Sequence, residues 1–344
     1  MLQAILEEPG KISLKETPLP EPADGEVLIR VKVALTCGTD LKAYLRGHPL
    51  IPMPGPFGHE YSGVVAKVGK SVKDFHEGDP VMGVHSAPCH RCFYCQKGLL
   101  NLCENIMKTK VLGAYGEYLL LPAHVVKENL YKKPSNLPFE YAALLEPLAC
   151  VVHPYSKFSL KDVETALIIG SGPIGLLHLV YLLHNSVEVV VMDKNRQRLE
   201  VAKQMGATVC TPEEADSLLH TMTGSRGVGL VVECTGVPEV WAETIRYVRK
   251  GGRVVLFGGC PSGTEVSFPT YPLHYEEITL MGSFHYNPED VSIARDFLIE
   301  NHRAFGPLLT GKYPLKRISE AFENLKKGNG LKYAIIPDEG GSSL

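Results

Sequence analysis

Residues 165–193 constrain the fold more than any other part of this chain. Ala166-Leu167-Ile168-Ile169 is an unbroken apolar run, Gly170-Ser171-Gly172-Pro173-Ile174-Gly175 follows it, an apolar helical stretch reaches Leu183, and a second apolar run from Glu188 to Met192 ends in Asp193. A strand that is apolar on both faces belongs in a parallel sheet covered on both sides. Gly170 permits a tight turn, Gly172 admits a pyrophosphate close to the backbone, and Gly175 lets helix and strand pack closely. Pro173 and Ile174 open the helix whose free N–H groups meet the anion. A lone glycine motif reads equally well as a structural turn; the strand, turn, helix, strand setting makes this one a dinucleotide site. Asp193, about twenty residues beyond the glycines, is placed to accept from ribose hydroxyls. The extra phosphate of NADP would meet that carboxylate at a cost of about 4 kcal/mol at ~4 Å and an effective dielectric of ~20, so NAD is favoured. Arg198, with Lys194 and Arg196, would offset part of that cost, or simply forms the solvated face of a helix from Asn195 to Gln204.

The alternation continues with a strand near Thr208, a helix from Pro212 to Met222, a strand Leu230 to Glu233, a helix Val240 to Val248 and a strand Arg253 to Phe257. This is the order of a doubly wound α/β sheet. Cys234-Thr235, Phe257-Gly258 and Ser283-Phe284 end strands where a dinucleotide would lie, and join the cofactor-binding candidates. The first 146 residues read differently, as short strands punctuated by Gly and Pro, with Val27 to Val33 alternating branched and polar residues. The sheet there is expected to hand over to a loop at Cys37. Pro138 to Leu145 has helical composition with Glu146 at its exit. After residue 287 come helices around Val291 to Glu300 and Ile318 to Lys327, a strand Tyr333 to Ile336, and a polar tail, Asp338 to Leu344. A chain of 344 residues exceeds what one core usually holds, so two domains are expected.

Cys89, Cys92 and Cys95 follow one another at C-x2-C steps, and Cys103 returns on the same loop. Four thiolates fill a tetrahedral zinc shell and leave no open position, so this lobe, residues 86–106, is read as a structural zinc site. Four unrelated thiols, or an iron–sulfur cluster, are the weaker readings. Gly58-His59-Glu60, with Cys37 upstream and Glu146 downstream, is a second donor set of thiolate, imidazole and carboxylate type. Such a mixed set suits a catalytic zinc with an open place, although a His beside a Glu is more often a surface pair.

The formal net charge of −3 gives no basic field for nucleic acid or an anionic membrane. The N-terminus meets Glu7 and Glu8 too soon for a signal peptide, and no apolar run reaches membrane-spanning length. Nine cysteines, an odd number with four crowded together, fit metal binding in a cytoplasmic protein better than a disulfide scaffold.

Taken together, Cys37-Gly38-Thr39-Asp40, Gly58-His59-Glu60-x2-Gly63-x5-Gly69, the four-cysteine lobe, Leu145-Glu146-Pro147-Leu148 and the Gly170 motif resemble, in order and over nearly the whole chain, the zinc-dependent medium-chain dehydrogenases. The likeness is to the branch of sorbitol (L-iditol) and threonine dehydrogenases, which carry Glu at the place of Glu146. The resemblance implies a GroES-like catalytic domain from residues 1–148 and 287–344 around a Rossmann NAD-binding domain, 149–286. It implies two zincs per chain, with Cys37, His59, Glu60 and Glu146 at the catalytic ion and Cys89, Cys92, Cys95 and Cys103 at the structural one. Thr39 resembles the hydroxyl that takes the substrate proton. Lys42 departs from the pattern, standing where many relatives carry a proton-relaying His. His285-Tyr286 departs as well, at a place where some polyol-acting relatives carry Arg. The activity implied is oxidation of a secondary alcohol, of polyol or sugar-acid type, by a homodimer or homotetramer. L-Threonine 3-dehydrogenase is the alternative enzyme, and a non-catalytic nucleotide-binding or structural protein the alternative of another class; zinc-free quinone reduction would need neither Cys37 nor the lobe. Tyr44, Phe57, Tyr115, Phe284 and His285 are candidate pocket walls, though each reads more readily as simply core or surface.

Overall fold

The computed structural model describes residues 1–337 and divides into two compact units, Met1–Ala149 with Tyr286–Leu344, and Cys150–His285. The polar tail at 338–344 lies outside the described residues.

The first unit is β-rich. Its seven-stranded sheet runs Leu309–Pro314, Lys332–Ile336, β1 (Val27–Leu35), β2 (Glu60–Val68), Pro80–Gly83 and Leu130–Lys132, with Tyr118–Leu121 also pairing with β1. β1 alternates buried and less buried residues over its middle, as a strand with one covered face does. The strand ends at Leu35, and the irregular connection at Cys37 is only two residues long before a helix begins. Cys37 caps α1 (Gly38–Arg46), its sulfur accepting from the Thr39 N–H at 3.4 Å. That bond satisfies one of the donors a helix start leaves over. Glu146 likewise lies in the first turn of α2 (Leu145–Val152), not at a helix exit. Pro138 and Pro147 cut the segment into two short helices, Phe139–Ala142 and α2, so the junction falls just before Glu146.

Tyr44, Phe57 and Tyr115 are core, not pocket wall. They surround Phe322 with ring centroids 5.5, 5.5 and 5.9 Å away, and all four are buried. Each such aromatic contributes roughly 1.5–3 kcal/mol by leaving water. Phe284, by contrast, is exposed.

The second unit is a six-stranded parallel sheet. Its strands are β3 (Thr165–Ile169), β4 (Glu188–Met192), β5 (Thr208–Cys210), β6 (Val228–Glu233), β7 (Val248–Leu256) and β8 (Thr279–Gly282), in the order β5-β4-β3-β6-β7-β8. β3 and β6 are buried along their whole length, as the apolar runs require. α3 (Pro173–His184) joins β3 to β4. The helix expected from Val240 to Val248 is shorter, Pro238–Glu243, followed by a single 3-10 turn, because Val248 is already paired with Val228 in β7.

Candidate metal and nucleotide sites

The four lobe sulfurs can all lie within 4.8 Å of one another. The loop's own backbone points at them: the N–H groups of Cys89 and Asn105 donate to Cys103 Sγ at 3.3 and 3.4 Å. N–H bonds, chiefly from Arg91, bring the Cys89 thiol down to about 5, while burial pushes Cys95 up to about 12. A cluster that favours thiolate through backbone donors fits a thiolate-loving cation such as zinc.

The second cluster joins donors remote in sequence. Cys37, at the cap of α1, and His59 and Glu60, where β2 begins, offer ligand atoms within 4.8 Å of one another. His59 and Glu60 are buried and Cys37 is half-buried. His59 Nδ1 faces the Asp40 carboxylate at 3.4 Å, which leaves Nε2 for the cluster. Asp40 is anchored in turn by the Tyr115 hydroxyl, at 2.8 Å. Lys332 Nζ, itself buried, donates to Glu60 Oε2 and to Thr36 O. Glu60 Oε1 is buried and accepts from no group. Glu146, also buried, stands with Oε1 3.4 Å from His85 Nδ1, and the His85 ring lies 5.0 Å from that of His59.

The electrostatics ask for a cation. Burial works against charge on His59, yet Asp40 and then Cys37 outweigh it and hold its pKa well above the ordinary value. Burial raises Glu60, against the pull of Lys332 and His59, and raises Glu146 to about 7. A bound divalent ion would replace the proton on His59 and satisfy the orphaned Glu60 oxygen, so the donor set fits zinc. Of the four donors expected together, the structure groups Cys37, His59 and Glu60 and sets Glu146 against His85 instead; sequence reasoning did not single out Asp40, His85 or Lys332. Asp40 had a local signal, three residues past a thiol; Lys332 had none.

In the second unit the glycine turn is built as its sequence requires. Gly170 has φ +102°, and a Cβ on Gly175 would lie 1.9 Å from Gly170 O. Gly172 caps α3, where Pro173 and Ile174 open the helix, and a Cβ there would meet nothing within 4 Å. That open space at a helix start fits an approaching pyrophosphate. A cavity of about 450 Å³ lies at the carboxyl ends of the strands, lined by Gly170, Asp193, Thr235, Val237 and Tyr247 among others. Asp193 Oδ2 accepts from both N and Oγ of Ser171 at 2.7 Å, which fixes the carboxylate at the turn. Arg198 starts in the first turn of the helix after β4, with its Nε buried and unpartnered. Cys234 and Thr235 follow β6, Phe257 and Gly258 follow β7, and Ser283 and Phe284 follow β8. One organiser escaped the sequence: Glu233, whose carboxylate accepts from Thr235 N, Gly236 N and Trp241 Nε1 and so shapes the loop after β6.

A parallel nucleotide-binding sheet together with a cluster of a half-buried cysteine, a buried imidazole and a buried carboxylate defines a zinc- and nicotinamide-dependent oxidoreductase of alcohols. The alcohol dehydrogenase GroES-like domain matches residues 23–134, and the zinc-binding dehydrogenase family residues 173–300. The chain is 31% identical to the probable D-xylulose reductase A of Aspergillus clavatus over 97% of this chain and 96% of that one. It is 29% identical to the L-threonine 3-dehydrogenase of Aeromonas hydrophila over 95% of this chain and 96% of that one. Among solved structures, the alcohol dehydrogenase TADH from Thermus sp. ATN1 superimposes with a TM-score of 0.89 at 26% identity, covering 98% of this chain and 100% of that one. The chain therefore belongs to the zinc-dependent medium-chain dehydrogenases, in the branch that holds the polyol and threonine dehydrogenases. It is an enzyme, and its cofactors are zinc and a nicotinamide dinucleotide.

Proposed function

We propose that this enzyme oxidises the secondary alcohol of a polyol or sugar acid with NAD, or reduces the matching ketone. In this reading Cys37, His59 and Glu60, with Glu146 beside them, hold a catalytic zinc, and Cys89, Cys92, Cys95 and Cys103 hold a second, structural one. The observation that carries it is the cluster at the start of β2, where a buried carboxylate oxygen of Glu60 accepts from no group. When bound, zinc supplies Lewis acidity to the substrate oxygen and NAD supplies the hydride acceptor.

The chain's own residues do the rest. Asp40 fixes the ring of His59, and Lys332 holds one oxygen of Glu60 so that the other is presented. Thr39, tied by its N–H to Cys37, sets a hydroxyl on the first turn of α1 to take the substrate proton by hydrogen bonding, through position rather than acidity. With Lys42 in place of a relaying imidazole, the exit of that proton falls to water. Asp193, fixed by Ser171, supports NAD over NADP.

A homo-oligomer is supported by the outer edge of β8, which pairs only with β7 among the described residues, and by the exposed Tyr271 and Tyr275. A cytoplasmic location is supported by Cys89, Cys92, Cys95 and Cys103, which gather as metal donors and not in disulfides. L-Threonine 3-dehydrogenase is the second reading, favoured by the 29% likeness to such an enzyme.

The test is a panel of polyols, sugar acids and L-threonine with NAD and NADP, read by absorbance of the reduced nicotinamide, alongside metal analysis. At least one polyol or sugar acid should turn over, faster with NAD, in protein holding two zincs per chain. Cys37→Ala should lower kcat/KM about a thousandfold, equivalent to roughly 4 kcal/mol. Undiminished turnover in that variant would remove Cys37 from the site, and exclusive use of L-threonine would decide for the second reading.

A further inference from the structure

His85 and Glu146 meet beside the metal-donor cluster. His85 Nδ1 stands 3.4 Å from Glu146 Oε1 and 3.3 Å from the Tyr286 hydroxyl, and the same hydroxyl lies 3.0 Å from Ser86 Oγ. All four side chains are buried. An ionised carboxylate only accepts, so Nδ1 holds Glu146 by carrying the ring's proton. The Tyr286 hydroxyl then turns its hydrogen to Ser86 Oγ and accepts at its own oxygen from the same Nδ1.

The surrounding chain fixes this bracket in place. His85 O accepts from Val111 N at 2.7 Å, and Ser86 O accepts from Asn129 Nδ2 at 2.8 Å. The His85 ring packs edge-on against Tyr286, with centroids 6.2 Å apart, and lies 5.0 Å from the ring of His59. One carboxylate of the four expected donors is thus engaged outside the group that Cys37, His59 and Glu60 form. Charge explains why a neutral imidazole is enough to keep it there. The Cys37 thiolate and the Glu60 carboxylate together offset both charges of a zinc ion, while Asp40 and Lys332 behind them cancel each other. A third anionic donor would leave net negative charge in a buried site. It would also fill the position that a catalytic zinc keeps for water or substrate.

We propose that His85 is a positioning residue that keeps Glu146 beside the catalytic ion but off it, so that Glu146 is a latched carboxylate and not a standing ligand. This rests on the zinc reading above and deepens it. Groups behind a metal site commonly orient its ligands; here the group behind the site restrains a carboxylate from becoming one.

The experiment measures zinc affinity by competition with a chromogenic chelator in protein whose lobe stays loaded, together with the visible spectrum of the cobalt-substituted site. Glu146→Gln alone should change zinc affinity by less than about fivefold, since the carboxylate it removes is not bound to the ion. His85→Phe keeps a ring and loses the N–H; with Glu146 released onto the ion, it should tighten zinc about tenfold, alter the cobalt spectrum and lower kcat. His85→Asn, which returns an N–H donor, should restore wild-type values, and Glu146→Gln added to His85→Phe should abolish the gain in affinity. A merely structural His85 would weaken zinc when replaced, with or without Glu146, and that result overturns the proposal. So does a loss of about fivefold or more in Glu146→Gln alone, which would make Glu146 a standing ligand; this arm decides even where His85→Phe does not fold. A single zinc per wild-type chain, held by the lobe, would remove the catalytic-metal reading and the latch with it.

Discussion

Two metal-donor clusters share one unit of this protein and are built in opposite ways. The cysteine lobe draws four like donors from a single loop and stabilises them with that loop's own N–H groups. The cluster at the start of β2 draws unlike donors from α1 and β2, and three further side chains, Asp40, Lys332 and Tyr115, hold them in place. A closed site can be specified locally because every bond it needs lies within a few residues. An open site must keep one position unfilled, so its ligands are held from behind by the rest of the fold, and that support is spread over the sequence.

Metal removal should break this comparison most visibly. Zinc in a lobe with few apolar residues is worth on the order of 10 kcal/mol of local folding free energy. Cys103→Ala, or mild chelation, should therefore abolish amide-exchange protection across residues 89–105 and leave β1 and β2 protected. Hydrogen-exchange mass spectrometry reads this directly. Loss of protection that spread into β2 would show that the lobe is not a local structure.

The same contrast explains what could be read in advance. The lobe was legible from Cys89, Cys92, Cys95 and Cys103 alone, because spacing encodes geometry when one loop carries all the ligands. Gly170, Gly172 and Gly175 were legible for a similar reason: strand, turn and helix are contiguous, and a Cβ on Gly175 would collide with Gly170 O. Lys332 was not legible. It opens a short apolar strand, and it reaches Glu60 only because that strand pairs with β1 through Ala334 and Leu35, with Tyr333 N bonded to Thr36 Oγ1. His85 and Tyr286 meet across 201 residues of sequence, at 3.3 Å, for the same kind of reason. Tyr44, Phe57 and Tyr115 were legible as aromatics that could be core or pocket wall, and only the packing around Phe322 separates the two roles.

The distributed support of the open cluster can be tested at its most buried pair. Lys332 and Glu60 are both nearly inaccessible to solvent. Lys332→Met should leave Glu60 as an uncompensated buried charge and cost about 3–5 kcal/mol of stability in metal-free protein. The loss should be smaller with zinc present, because the ion would then compensate the carboxylate. Urea denaturation with and without chelator measures both. An equal loss in the two states would mean that Glu60 does not face the metal, and the two clusters would differ less than their architecture says.

The smallest expected effect concerns Asp40, which touches the donor set only through His59. Asp40→Asn keeps the shape and the Tyr115 contact but removes the negative charge that faces Nδ1 at 3.4 Å. Ligand imidazoles that lose such a carboxylate bind their metal about 10–100-fold more weakly. Competition with a chromogenic chelator should show that drop for one zinc per chain while the lobe's ion keeps its affinity. The asymmetry is the informative part: the lobe's Cys103 sulfur is backed by the N–H groups of Cys89 and Asn105 and not by Asp40, so a change at Asp40 that weakened both ions alike would mean the clusters are coupled through the unit and not built independently.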